Sequence, residues 1–428
     1  MSNSRAGFKE KLIFLQSSKD LPSVDFLTRN NAEKQNLLRS IQNILFAGGM
    51  YSTKEEVVML SYYIYGLGPL QPFYEMPDVN EIIVQNGKIR IEQNGKIKDT
   101  QMTLTDEEAE EIIRKVAEST HNAVGINRPL LSCELPNSQD RFIGILPPIT
   151  VHPQINIRIR TNKYYKIEEL VAFNMLSSKM AEFLIEMVKV KANILVTGIG
   201  SSGKTTLVDA LLPFIPDDSI TVIVEDVREL HLHKSNITSF VPNIERERTQ
   251  SEELTEKIDI SSLINLIGNR VRADRVILGE VRTAEEVKEF LNTLSIGSNG
   301  VITTMHSNSS LDALNRIENL VADVYKEPRI VRSILGPNLD IIVQTERVRD
   351  YFRVVKSIDL LEYDYNTDKY QIIEVFKTSI EHSTQDKVVP EFIPRFPEYI
   401  PQKIKEKFEW YYGFNDGNKK INEIFGRG

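Results

Sequence analysis

"TGIGSSGKTT", residues 197–206, decides how this chain is to be read. Gly198, Ile199, Gly200, Ser201, Ser202, Gly203, Lys204 and Thr205 fit the pattern G-x-x-x-x-G-K-[ST], and Thr206 follows. Removing side chains ahead of one lysine has two readings. One is a phosphate cradle; the other is a glycine-rich turn that happens to precede a helix. In a cradle, bare backbone N–H groups approach a β-phosphate and a helix N-terminus adds positive partial charge. Lys204 then reaches the β- and γ-phosphates, and the Thr205 hydroxyl ligates Mg2+. The flanking sequence favours the cradle. "ANILVTG" reads as a short buried strand ending at the loop, and "TTLVDALLPFI" as a helix leaving it. That strand–loop–helix order is the context the motif requires.

Outward from this loop, apolar strands alternate with helices. "SITVIVED", "RVILGEV" and "GVITTMH" follow in turn, and "SSKMAEFLIEMVKVK" precedes as a helix. Continuously apolar strands between helices predict a parallel sheet covered on both faces. Glu225, Asp226 and Glu229 come at the end of one strand, Glu280 at the end of a second and His306 at the end of a third. In an open parallel sheet, strand C-termini meet at the rim where ligands bind. Any one of these residues alone reads as a turn, a cap or a structural histidine. Three strand ends of this kind beside a phosphate loop read as a site. His231 and His233, in "LHLH", stand two apart with no third ligand nearby in the sequence, and read as strand or loop residues.

The rest of the chain is mixed. Residues 1–50 are polar with helical patches, and residues 51–162 read as an α+β domain. Within it, Asn86-Gly87 marks a hairpin between "EIIVQ" and "KIRIEQ", and Asn94-Gly95 a second tight turn. Thr105 is the N-cap of an acidic-start helix, and Pro147-Pro148 interrupts the next strands. "TNKYYK", 161–166, reads as a linker, 163–380 as the α/β domain, and 381–428 as an extended arm followed by a short helix. The chain has 428 residues, 41% of them apolar, enough to fill real cores. Its 60 acidic and 52 basic residues leave a net charge of −8, which argues against bulk nucleic-acid binding. Cys133 is the only cysteine, so no intrachain disulfide forms; it reads as a small core residue. No apolar run reaches the ~18–20 residues of a membrane span, so a cytoplasmic protein that meets membranes only through partners is expected.

With these motifs in view, the chain resembles the secretion ATPases of type II and type IV secretion and type IV pili. Their four signatures appear in order: the phosphate loop at 198–205, an acidic box at 221–230, an atypical second Walker motif at 275–280, and a histidine box around 303–308. "LNTLSIGSNGVITTMHSNSSLDALNRIENL" and "GLGPLQPFYEMPDVNEIIV" are most similar to the branch serving Tad/Flp pili and conjugative type IV secretion. The resemblance implies a RecA-like P-loop ATPase domain with a parallel-sheet core, preceded by a PAS-like α+β domain. It further implies a homo-hexameric ring with ATP between domains, at the cytoplasmic face of a membrane beside a polytopic inner-membrane protein. Gly279 stands where ordinary P-loop enzymes carry an aspartate, so Glu280 takes over the metal-water role. Glu225 corresponds to the general base, and His306 to the γ-phosphate sensor. Arg141 and Arg158 match arginines that neutralise phosphate charge, and Arg270 and Arg272 fall in a further arginine-bearing stretch. One departure concerns the loop: many relatives have glycine where this chain has Ser201, and Gly200 comes one position early. Two other classes remain open to test, a nucleic-acid-stimulated motor of RecA type and a nucleotide-gated regulator without turnover.

Overall fold

Apolar side chains gather into separate cores that belong to two units, one built from the chain up to about residue 162 and one from there on. The computed structural model describes residues 2–426, except Val24, Arg29, 94–95, Gln139, 161–163, 243–258, Ser298, Asp350 and 385–386, and except the side chains of residues 2–6 and Asn269. The expected turn at Asn94-Gly95 and the first half of the expected linker therefore lie outside the described residues.

The first unit opens with α1 (Ser2–Ser17), α2 (Asn31–Ala47) and α3 (Lys54–Tyr65). Leu12, Leu15, Leu37, Ile41, Leu45 and Leu60 form their shared core. The side chains of Asn30 and Thr53 cap the starts of α2 and α3 by accepting backbone N–H groups. After α4 (Gln71–Tyr74) come β1 (Val79–Gln85), β2 (Lys88–Gln93), β3 (Lys96–Thr103), α5 (Asp106–Ser119), β4 (Leu130–Glu134), β5 (Arg141–Ile145) and β6 (Gln154–Arg158). Asn86 and Gly87 join β1 to β2 with φ of 50° and 72°, the two left-handed positions of a tight hairpin turn. Thr105 and Glu108 close a capping box at the head of α5, satisfying two orphan donors at once. The strands lie in the order β3-β2-β1-β6-β5-β4, every pair antiparallel, and Ala109, Ile112, Ile113 and Val116 of α5 pack into their core.

The second unit begins with α6 (Ile167–Ala172), α7 (Ser178–Lys189), β7 (Ile194–Gly198), α8 (Lys204–Leu211), β8 (Thr221–Val224) and β9 (Ile237–Phe240). It continues through α9 (Ile260–Arg270), β10 (Arg275–Leu278), α10 (Ala284–Ser295), β11 (Ile302–Met305), α11 (Ser310–Leu320) and α12 (Pro328–Asn338). It ends with β12 (Ile341–Val348), β13 (Phe352–Asp364), β14 (Lys369–Ser379), β15 (Glu391–Pro394), α13 (Gln402–Tyr412) and α14 (Phe414–Ile424). The sheet order is β15-β14-β13-β12-β7-β11-β10-β8-β9. Strands β12, β7, β11, β10, β8 and β9 run parallel, whereas β12 to β15 pair antiparallel. The sheet is thus mixed, not purely parallel as expected. Connections as short as those after β12 and β13 permit only antiparallel return. Alternation along the strands sends Ile194 and Val196 to one core and Leu195 to the other, so both faces of the parallel part are covered.

The C-terminal segment is more than an arm and one helix. β15 adds a strand to the sheet, and two helices follow, separated at Gly413 with φ 84°. Ile404, Phe408, Ile421 and Phe425 sit in the same core as Phe183 and Phe376. Phe183 meets Phe376 and Phe425 edge-on, at ring separations of 5.5 and 5.4 Å. Among the described residues, no helix is long and apolar enough to cross a membrane.

Candidate functional site

Four neighbouring parallel strands end at one rim: β7 at Gly198, β11 before His306, β10 before Gly279 and β8 before Glu225. The parallel register alone brings the phosphate loop, two acids and the histidine to the same edge. The loop then turns sharply. Gly198 and Gly203 take φ of 153° and 94°. A Cβ at Gly198 would lie 2.4 Å from the Thr345 carbonyl oxygen, and one at Gly203 would lie 2.9 Å from Met175. Both positions therefore demand glycine. Ser201 supplies the third left-handed residue with φ 57°, while Gly200 has no positive φ, and a Cβ there would make only an ordinary contact with His306 at 3.8 Å. The glycine that the resemblance displaces by one position is thus dispensable for backbone shape, and a serine bears the unusual φ.

Lys204 starts α8 and is buried, only 6% exposed. Its Nζ donates to the Gly198 and Ile199 carbonyls, each at 3.1 Å, and lies 3.3 Å from His306 Nδ1. An ammonium can only donate, so Nδ1 is the accepting nitrogen and the proton is assigned to Nε2. Burial, followed by the Lys204 charge, holds His306 below the usual imidazole range. His306 Nε2 stands 2.9 Å from Glu280 Oε1. The approach is short but off the hydrogen-bonding direction, and buried Oε1 is left with no hydrogen bond. Glu280 Oε2 accepts from Arg282 Nη2 at 2.7 Å, and Arg282 Nη1 lies 3.6 Å from Asp226. The bond to Glu280 raises the Arg282 guanidinium further above its ordinary value. Lys204, His306, Glu280 and Arg282 thus lie side by side across three strand ends, with His306 and Glu280 in close approach but sharing no hydrogen bond.

Glu225 belongs to the same rim but to separate hydrogen bonds. Its Oε1 accepts the N–H groups of Glu229 and Leu230, each at 2.9 Å, and Oε2 lies 3.4 Å from Ser239 Oγ. It is 2% exposed, and burial raises its carboxyl above the ordinary range against those two amides. Gly279 lets β10 pass close beside it, since a Cβ there would lie 3.1 Å from Glu225 Cγ. An aspartate in that position would press on Glu225.

Further residues brace the loop. Thr345 Oγ1 sits 2.7 Å from Ser202 Oγ and donates to the Thr197 carbonyl at 2.9 Å. Gln344 bonds the Thr197 hydroxyl and reaches the Ser307 carbonyl at 3.3 Å, and Arg353 Nε donates to the Ser201 carbonyl at 3.0 Å. These three residues, and the role of Arg282, are missing from the sequence reading. Thr205 and Thr206 lie half-buried in the first turn of α8.

Other singled-out residues fall elsewhere. Arg141 and Arg158 face each other across the β5–β6 ladder, flanked in the same row by Glu134 and Glu81. Arg270 ends α9, and Arg272 follows it; both are exposed. Cys133 packs against the core of the first unit, where burial pushes its thiol up to about 11, which fits a packing residue. His231 and His233 are not isolated: Asp209 of α8 stands between them. The fold brings in a neighbour from a helix more than twenty positions earlier in the chain.

The chain is similar to known proteins. The family model "Type II/IV secretion system protein" matches residues 133–350. The conjugal transfer protein TrbB of Rhizobium radiobacter is 31% identical over 296 residues, which cover 68% of this chain and 86% of that one. The type IV secretion system protein VirB11 of Bartonella quintana is 28% identical, over 57% of this chain and 77% of its own. The crystal structure of the Legionella pneumophila ATPase DotB aligns with a TM-score of 0.45 at 17% identity, covering 70% of this chain and 81% of that one. The match to the family model and the extent of the shared sequence lead to one conclusion: the chain belongs to the type II/IV secretion system protein family.

Proposed function

We propose that the chain is an ATP hydrolase whose second unit is a RecA-like motor and whose first is PAS-like, acting as a homo-hexamer to power a membrane-bound secretion or pilus machine. The observation that carries the reading is the Lys204–His306–Glu280–Arg282 row at the mouth of a glycine-shaped loop. Phosphoryl transfer to water asks mostly for positioning and charge neutralisation. Lys204 now rests on loop carbonyls and would exchange them for β- and γ-phosphate oxygens. The loop N–H groups and the α8 N-terminus would hold the β-phosphate. His306, neutral and adjacent to Lys204, would meet the γ-phosphate. Glu225, on the neighbouring strand end, would orient the attacking water. Its raised carboxyl suits a group that takes up a proton. The orphaned, buried Glu280 Oε1 fits a water of a hydrated Mg2+. Thr205 and, through water, Glu280 would hold that ion, and when bound it would neutralise charge on the β- and γ-phosphates. Arg141 and Arg158 would add positive charge toward the nucleotide in the assembled ring. The TrbB and VirB11 relatives by name point to a conjugative or type IV secretion apparatus; in that setting an inner-membrane protein would be its partner and its route to the membrane.

Steady-state phosphate release from the full chain with Mg-ATP tests the reading. Lys204→Ala is expected to abolish turnover, and turnover within a few-fold of wild type would overturn the assignment. Turnover that depends on single-stranded DNA at low salt would favour the RecA-type nucleic-acid motor instead.

A further inference from the structure

Behind the phosphate loop, α8 and the segment after Glu225 meet at a second cluster that the proposed hydrolysis does not use. Asp209 projects from α8, five residues beyond Lys204. His231, Leu232 and His233 follow one another ahead of β9. Both imidazoles turn inward while Leu232 is 55% exposed. His231 Nδ1 lies 2.8 Å from Asp209 Oδ2, and His233 Nε2 lies 3.3 Å from Asp209 Oδ1. The His231 backbone N–H also donates to Asp209 Oδ1, at 2.9 Å. The three ligand atoms lie within 4.8 Å of one another.

We infer that Asp209, His231 and His233 form a binding site for one divalent transition-metal ion of the zinc class. The donor set is two imidazole nitrogens and one carboxylate oxygen, the mixture that borderline ions such as Zn2+ take, whereas Mg2+ prefers oxygen alone. Ligands at about 2.0–2.1 Å around a tetrahedral Zn2+ stand roughly 3.3 Å apart. The imidazole nitrogens lie 2.8 and 3.3 Å from different oxygens of Asp209, and one donor atom from each of the three residues lies within 4.8 Å of the others, so the ligands close in by up to about 1.5 Å to reach this spacing. The fourth position is left to water. Asp209 is only 7% exposed, and a divalent cation held by its carboxylate would balance that buried charge. Preorganisation comes from both sides. Asp209 is fixed in a buried helix, and the Tyr164 ring lies 4.1 Å from the His233 ring. The ion would bolt α8, whose first residue is Lys204, to the segment whose amides hold Glu225. That links the site to the rigidity of the nucleotide rim without making it part of the reaction, and binding does not depend on ATP turnover.

The test uses untagged full-length chain, stripped with a chelator and free of nucleotide, titrated calorimetrically with ZnCl2. One saturable site per chain is expected, unaffected by excess Mg2+. Co2+ should give the visible absorption of a tetrahedral site, and Zn2+ should raise the melting temperature by mass action. His233→Gln keeps the 2.8 Å His231–Asp209 contact, so it should fold and yet lose Zn2+ binding, the Co2+ band and the thermal shift. His231→Gln should lose them too, while His382→Gln, at an exposed histidine, should keep all three. No saturable site in the wild-type chain would overturn the inference. So would binding that survives both His231→Gln and His233→Gln.

Discussion

Glu225 is buried and has a raised carboxyl, and these two facts make a stability prediction distinct from any catalytic one. A carboxyl ordinarily titrates near 4.5, and burial lifts the folded value above that. The native state then holds its proton more tightly than the unfolded chain. The associated stability is fully present below the unfolded value and is lost as pH rises through the folded one. Glu225→Gln removes this titration and retains an oxygen to accept from Glu229 and Leu230. Its melting temperature should match wild type at about pH 4 and exceed it at about pH 7; scanning calorimetry across that range checks it, and a gap that does not grow with pH refutes it. The same variant should lose turnover but keep nucleotide binding. The loop glycines divide in the same way. Gly203→Ala should abolish nucleotide binding, because φ is 94°, a conformation that an L side chain strains. Gly200→Ala should leave affinity within a few-fold, since its nearest neighbour, His306, is 3.8 Å from the added carbon. Equilibrium binding of a fluorescent ATP analogue distinguishes the two. Lys204, Glu225, Glu280 and His306 were legible in the sequence because motif and strand end are local signals. Gln344, Thr345 and Arg353 were not, because each reaches the loop from 143 or more positions away.

Several helices in this chain begin on capping side chains, and two helices end on side chains. The starts are local and readable: Thr105 and Glu108 lie three apart, as do Thr283 and Glu286, and both pairs close capping boxes. The ends of α7 and α12 rest on cations from elsewhere. Arg275, at the start of β10, is 2% exposed and donates to the Val188 carbonyl at 2.5 Å and the Lys189 carbonyl at 3.0 Å, at the end of α7, and to Ser219 Oγ at 2.9 Å. Burial pulls its guanidinium down to about 10, still charged at neutral pH. Lys403 of α13 does the same for α12, donating to the Gly336 and Leu339 carbonyls at 2.7 and 2.6 Å. A positive group at a helix C-terminus satisfies orphan carbonyls and opposes the dipole. Arg275→Ala strands those buried acceptors and leaves a cavity, so it should destabilise the fold by about 2–4 kcal/mol. Urea unfolding followed by circular dichroism measures this, and a loss under about 0.5 kcal/mol would reduce Arg275 to a surface-like residue. From sequence, Arg275 reads only as the polar edge of an apolar strand, since its carbonyl partners are 86 and 87 positions away.

At the scale of the whole chain, the second unit is closed by residues from its two extremes. Tyr412 donates to Glu186 at 2.5 Å, a separation of 226 positions, and Lys407 donates to the Lys191 carbonyl at 2.9 Å across 216. Phe425 lies against Phe183 of α7, the helix that leads into the phosphate-loop strand. The alternation of helices and apolar strands made the parallel part of the sheet and its covered faces legible, whereas the antiparallel strands β13 to β15 gave no such signal. The tail was not legible. Its apolar residues are sparse, Gly413 and four prolines break the pattern, and its meaning lies in a core assembled from the opposite end of the unit. Packing of this kind is part of the fold, not an appendage to it. Phe408, fully buried, tests that claim with little disturbance to the backbone. Phe408→Ala should cost about 3–5 kcal/mol, the range for emptying a buried aromatic site. Removing residues 400–428 should go further and expose Phe183 and Phe376 together, giving a chain that aggregates or melts well below wild type. Differential scanning calorimetry and size-exclusion chromatography report both changes. A truncated chain that stays monodisperse and melts at the wild-type temperature would show the tail to be dispensable, and the core assigned to this unit would then have to close without it.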